Sequence, residues 1–284
     1  MNIIYLLGRG RSGSTLFSHL LGAQKGIINV GELKNYKAYH SREDWLNITC
    51  SDGVILKDHP FWKEVAKKLE KKVGTPYPDL RTKDFKEFKS NNKAIYDAII
   101  EISGKDIIID ASKKLKHHNQ LKKAFGAQVK TIYLVKDPRA YALSIYKSNV
   151  RKASRNKPVN NVLGKIIWWN IYNTALWVLR MLKLQKFLLL KYEDLAKNPE
   201  LSVKNVLEYS EVNIKNVNMD LSSSKQPVFS GNVLFLEKGE TKIEFDYSHL
   251  ENLSNSQWVL FTLCAFPAIA LYQYPIFKKE YLKN

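Results

Sequence analysis

Only two cysteines, Cys50 and Cys264, occur in 284 residues, and they do not form a C-x-x-C pair. That excludes a disulfide-stapled scaffold and a cysteine-spaced zinc site, and it favours a reducing, cytoplasmic setting, with a single bridge between the two left open. Acidic residues are also scarce, with 27 Asp and Glu against 45 Lys and Arg, a formal charge of +18. The imbalance favours an anionic partner but does not choose among nucleic acid, membrane surface, polyphosphate and acidic glycan. No Gly/Ser/Pro tract or repeat interrupts the chain, which limits disorder and excludes a solenoid. A basic n-region is missing before the first apolar segment, so no signal peptide is expected and the mature protein is expected to start at Met1. The one long apolar run, 258–277, contains Pro267, Pro275, Thr262 and Gln273. It reads as a buried helix and turn rather than a transmembrane span, with peripheral membrane contact left open.

What is present suits one large α/β domain over 1–284, with 45% hydrophobic and 25% charged residues. "NIIYLLG" is a short apolar run ending in glycine, as in a strand buried on both faces of a parallel sheet, and Leu16, Phe17, Leu20 and Leu21 recur at helical spacing just after it. "GIINV", "DIIIDASKK", "KTIYLV" and "KFLLLKYEDL" repeat the strand pattern, the second ending in Asp110, and helical patterns lie between them. Alternation of this kind implies a doubly wound parallel sheet flanked by helices, with a helical insertion over 34–105 after the second strand. Residues 147–160, basic and uncapped, read as a mobile surface loop before the helix "VLGKIIWWNIYNTALWVLRML", where Trp168 and Trp169 are expected to pack inside.

"GRGRSGSTL", residues 8–16, has Gly8, Gly13 and Thr15 where a Walker loop has them, but Ser14 stands in place of its lysine. Converging backbone N–H groups, the hydroxyls of Ser12, Ser14 and Thr15, the basic Arg9 and Arg11, and a helix N-terminus still suit a terminal phosphate or phosphosulfate. The stretch resembles the first motif, G-x-x-R-S-G-[ST]-[ST]-L, of the PAPS-dependent sulfotransferases, in particular the branch acting on carbohydrate, lipid or tyrosine acceptors. "VKDPRAYALSIYKS" resembles that family's second motif, which opens with R-D-P-R. The resemblance implies a P-loop-type fold and 3′-phosphoadenosine 5′-phosphosulfate (PAPS) as donor, without a metal. It also implies that Arg11, Ser12, Gly13, Ser14 and Thr15 hold the 5′-phosphosulfate, with Arg9 and Gly10 also in the donor-binding loop. Lys136 and Ser144 would hold the 3′-phosphate, with Arg139 in the second basic place; lysine at 136 keeps the charge of the family's arginine but loses its planar fork.

"VGELKNY" resembles the segment that carries a catalytic glutamate, which nominates Glu32 as base. "DASKK" resembles D-x-S-K, which nominates Lys113 beside the leaving phosphate. "SGNVLF" resembles a segment that closes over the nucleotide, through Gly231 and Asn232. Asp110, His117 and His118 remain alternative bases. Two other functions stay open: a magnesium-dependent kinase or NTPase using Thr15 and Asp110, and a basic nucleic-acid-binding module. The acceptor would be a small molecule, glycan or lipid; the sequence is silent on oligomeric state.

Overall fold

The computed structural model describes residues 1–154, 158–214, 216–221, 226–229 and 245–281. Gly231 and Asn232 lie outside the described residues. β1 (Asn2–Gly8) runs into a loop and then α1 (Ser14–Gly22), followed by β2 (Ile27–Asn29). The helical insertion supplies α2 (Tyr36–His40), α3 (Glu43–Leu46), α4 (Pro60–Val73) and α5 (Phe85–Ser103). β3 (Ile107–Lys113), α6 (Leu115–Phe125), β4 (Val129–Val135), α7 (Pro138–Ala153), α8 (Val162–Met181) and β5 (Leu188–Lys191) complete the alternation. The chain continues through α9 (Tyr192–Lys197), α10 (Pro199–Tyr209), α11 (Ser248–Asn252), α12 (Asn255–Cys264) and α13 (Phe266–Leu271).

The strands form one all-parallel sheet in the order β2-β3-β1-β4-β5. Side chains alternate across a strand, so Ile3, Tyr5 and Leu7 enter one core while Ile4 and Leu6 enter the other. α4 to α8, α12 and α13 cover the first face, through residues such as Trp62, Ile95, Leu121 and Trp169. α1, α9 and α10 cover the second, through Phe17, Leu195 and Val206. Both faces are therefore dry, as a parallel sheet requires.

Three expectations need correction. Residues 147–153, read as loop, are the last turns of α7. Their buried position is the polar Ser148, so the helix shows no apolar period there. Of the two tryptophans only Trp169 is buried; Trp168 is 62% exposed, because consecutive helix positions point about 100° apart. β3 continues past Asp110 to Lys113, which carries the basic residues to the strand's end. The run over 258–277 breaks at Ala265 into α12 and α13, and among the described residues no helix is long and apolar enough to cross a membrane. Cys50 and Cys264 are both free thiols.

Candidate active site

The carboxyl ends of β1 and β3 meet the first turn of α7 around a cleft of about 480 Å³, lined by Arg9, Gly10, Arg11, Glu32, Lys34 and Lys113 among others. Ligands bind at this edge in open α/β sheets. The loop after β1 is built for close approach. Gly8 lies so near β4 that a Cβ would sit 2.6 Å from the Leu134 carbonyl oxygen, and Gly13, the N-cap of α1 at φ 86°, leaves only 2.4 Å to the Tyr192 ring. Ser12 donates its hydroxyl to the Arg9 carbonyl at 2.8 Å, closing the turn. Arg11 takes a left-handed conformation, φ 71°, that non-glycine residues seldom adopt. Lys113 does the same at the end of β3, φ 66°. Backbone strain of this kind, costing about 1–3 kcal/mol per residue, collects at functional sites.

Glu32 reaches the cleft because the segment after β2 continues along β3: Val30 donates to the Ile109 carbonyl at 3.2 Å, and Ala111 donates to the Gly31 carbonyl at 2.8 Å. Its carboxylate receives Lys113 Nζ on Oε1 at 2.9 Å, and Lys34 Nζ on Oε2 at 2.9 Å. Burial alone would raise its pKa, but Lys113 and Lys34 outweigh it and hold the group below the ordinary carboxylate value.

A second, smaller pocket of about 90 Å³ opens beside the cleft, lined by Lys136, Ser144, Lys147, Arg151, Asp246 and His249 among others. Lys136 is largely buried, with Nζ 3.9 Å above the Tyr192 ring. Burial pushes its pKa down, and nearby Glu193 and Asp246 partly restore it. Arg11 joins the two spaces, its Nη1 donating to both the Ser144 hydroxyl and carbonyl at 3.2 Å. Burial and then Arg151 lower the Arg11 pKa, a sign that like charges crowd here. The sequence reading placed Lys147 and Arg151 in a basic surface loop, although Ala140, Ser144, Lys147 and Arg151 follow helical spacing.

A sulfotransferase-domain family model matches residues 3–230. The chain belongs to the sulfotransferase family. The sulfotransferase domain of the curacin biosynthetic pathway superposes with a TM-score of 0.55 at 15% identity, over 96% of this chain and 98% of that one. The sulfotransferase domain of the Synechococcus PCC 7002 olefin synthase gives 0.52 at 17%, over 97% and 95%. Mouse sulfotransferase SULT7A1, solved with PAP, gives 0.52 at 12%, over 96% and 89%. Identities this low speak to the fold alone. No curated protein sequence matches the chain.

Other residues named from sequence sit elsewhere in this sulfotransferase. Asp110 is fully buried and accepts from the Tyr96 hydroxyl at 2.8 Å and the Ser112 amide at 2.9 Å. His117 and His118 lie inside α6, where burial lowers their pKa values to about 3 and about 4. None of the three lines the cleft. Among the described residues, one cluster, Cys50, Asp52 and His59, has metal-binding proximity, and it too lies outside the cleft. Arg139, second cation of the family's motif, is fully buried: it pairs with Asp137 at 2.6 Å and donates to the Pro275 carbonyl at 2.7 Å. It is a structural member of the sulfotransferase motif here.

Beneath that pair lies Glu193, whose Oε1 accepts the Asp137 amide at 2.9 Å. Burial and the neighbouring Asp137 raise its pKa from 4.5 to about 7. A carboxyl raised in the folded state contributes stability that is complete below about pH 4.5 and lost as pH rises through about 7. The loss is on the order of 3 kcal/mol. Glu193→Gln is expected to flatten this slope in denaturant titrations and to be more stable than wild type at pH 8; an unchanged slope would assign the proton elsewhere.

Proposed function

We propose that this sulfotransferase moves the sulfuryl group of PAPS to a hydroxyl of a small-molecule, glycan or lipid acceptor. The observation that carries this reading is the pair of cationic chambers joined by the Arg11–Ser144 contact. One suits the phosphosulfate, and the other suits a 3′-phosphate that ATP does not carry. The loop from Arg9 to Thr15 and the first turn of α1 receive the 5′-phosphosulfate. Lys136 and Ser144 receive the 3′-phosphate, joined by Lys147 and Arg151.

Glu32 takes the proton from the acceptor hydroxyl as its oxygen bonds to sulfur. The bond from sulfur to the bridging phosphate oxygen breaks, and the electron pair stays on that oxygen, giving a sulfate ester and adenosine 3′,5′-bisphosphate. Arg11, Lys113 and the helix N-terminus stabilise the new charge. Lys113 is bound to Glu32 at 2.9 Å. A donor phosphate competes for that lysine, and its transfer leaves Glu32 a stronger base. Glu32 stands as base because Asp110, His117 and His118 do not line the cleft. The same seclusion of Asp110 argues against a magnesium-dependent kinase. The nucleic-acid alternative is left without a recognition motif.

Adenosine 3′,5′-bisphosphate at 100 times its Kd, in EDTA, is expected to stabilise the fold by ~2.7 kcal/mol, raising the melting temperature by several degrees. Stabilisation by Mg·ATP alone would sink the proposal. Arg151→Ala should weaken this ligand roughly tenfold or more, the value of a charge-assisted hydrogen bond. It should leave adenosine 5′-monophosphate unaffected; equal losses for both ligands would displace the 3′-phosphate from this pocket.

A further inference from the structure

The outward positions of α7, α8, α12 and α13 carry exposed apolar side chains, and Val150, Leu163 and Leu260 line one groove between the first three. Ile167, Trp168, Ile171 and Val178 stand exposed along α8, and Leu263, 67% exposed, and Phe266 stand exposed on α12 and α13, which pack against α8. These positions follow the helical repeat, yet they face away from the core that Ile166, Trp169 and Leu176 fill. Exposed surface of this extent marks an interaction site rather than ordinary scatter.

Its charge pattern selects the occupant. No aspartate or glutamate occurs between 138 and 192 or between 252 and 279, the stretches that build this face. The cations there include Lys165, Arg180, Lys183 and Lys279, all exposed. Two copies meeting through such faces would oppose positive rims, with no carboxylate in these stretches to pair them. Anionic headgroups around an apolar interior complement both features.

We infer that this face docks on an anionic lipid bilayer, with the apolar side chains entering the interface and the lysines and arginines resting on headgroups. The surface is continuous with the candidate active site. A groove of about 540 Å³ between α7, α8 and α12, lined by Val150, Leu163 and Leu260 among others, ends at Asn160, which also lines the cleft. Docking thus turns one entrance of the cleft toward the lipid.

Flotation with vesicles of phosphatidylcholine alone, and of phosphatidylcholine with phosphatidylglycerol at 3:1, tests this without donor present, so it stands or falls separately from the sulfuryl-transfer reading. Partition onto the anionic vesicles should exceed that onto neutral ones by roughly tenfold or more and fall with salt. The double variant Trp168→Ser, Leu263→Ser should lose roughly tenfold in partition, with melting temperature and adenosine bisphosphate affinity retained. Trp168 emission should shift to the blue on binding, a signal absent in Trp168→Phe. Three results would overturn the inference: no binding to either vesicle, equal binding by the double variant, or a wild-type dimer in sedimentation velocity that the double variant dissolves.

Discussion

Glu32→Gln is expected to lower sulfuryl transfer by about 10²–10⁴, the usual contribution of a positioned general base. The amide keeps the shape of the carboxylate but cannot accept the acceptor's proton. Adenosine bisphosphate should bind at least as tightly as in wild type, because Lys113 would no longer be shared with an anion and could turn fully to the donor. Isothermal titration and initial rates separate the two effects. In wild type the acid limb of kcat/KM for the donor, which reports the free enzyme, should lie below the ordinary carboxylate range, since Lys113 and Lys34 overcome burial and lower the Glu32 pKa. Wild-type turnover in Glu32→Gln would remove it from the chemistry.

Arg139→Met should be the most destabilising single change in the second motif. The guanidinium is fully buried, with Nε 2.9 Å from Asp137 Oδ1, Nη2 2.6 Å from Oδ2, and its Cζ 4.1 Å from the Trp258 ring centroid. Removing one partner of a buried pair leaves the other charge stranded, at a cost of roughly 3–5 kcal/mol. The melting temperature should fall by roughly 10 °C, and Arg139→Lys should recover only part of the loss because lysine lacks the fork. Folded protein at low temperature should retain its bisphosphate affinity. Full stability with lost affinity would instead return Arg139 to the donor site.

The sheet was legible because each strand is an apolar run and each turn carries its own punctuation, as in Gly8 to Gly13 and Asp137-Pro138. The anion loop was legible for the same reason: its glycines, hydroxyls and arginines are consecutive. Lys147 and Arg151 were hidden, because the side of α7 that faces the small pocket is polar and its last turns look like loop. The role of Arg139 was hidden differently. Its motif names a cation, but the carbonyls it serves, those of Pro275 and Ile276, lie far along the chain. Lys34, two residues from Glu32, was in view without a partner to give it meaning until β3 brought Lys113 to the same carboxylate.

The distant partners of Arg139 also order events during synthesis. β1, β3 and β4 leave the ribosome long before Tyr281, whose hydroxyl bonds Asp137, and before Trp258, which stacks on the guanidinium. Until residues 258–281 emerge, the ion pair at the head of α7 has neither its carbonyls nor its aromatic cover. The nascent sheet must therefore wait half-sealed, and a stalled chain lacking residues 258–281 would be a substrate for chaperones and proteases rather than a smaller working enzyme.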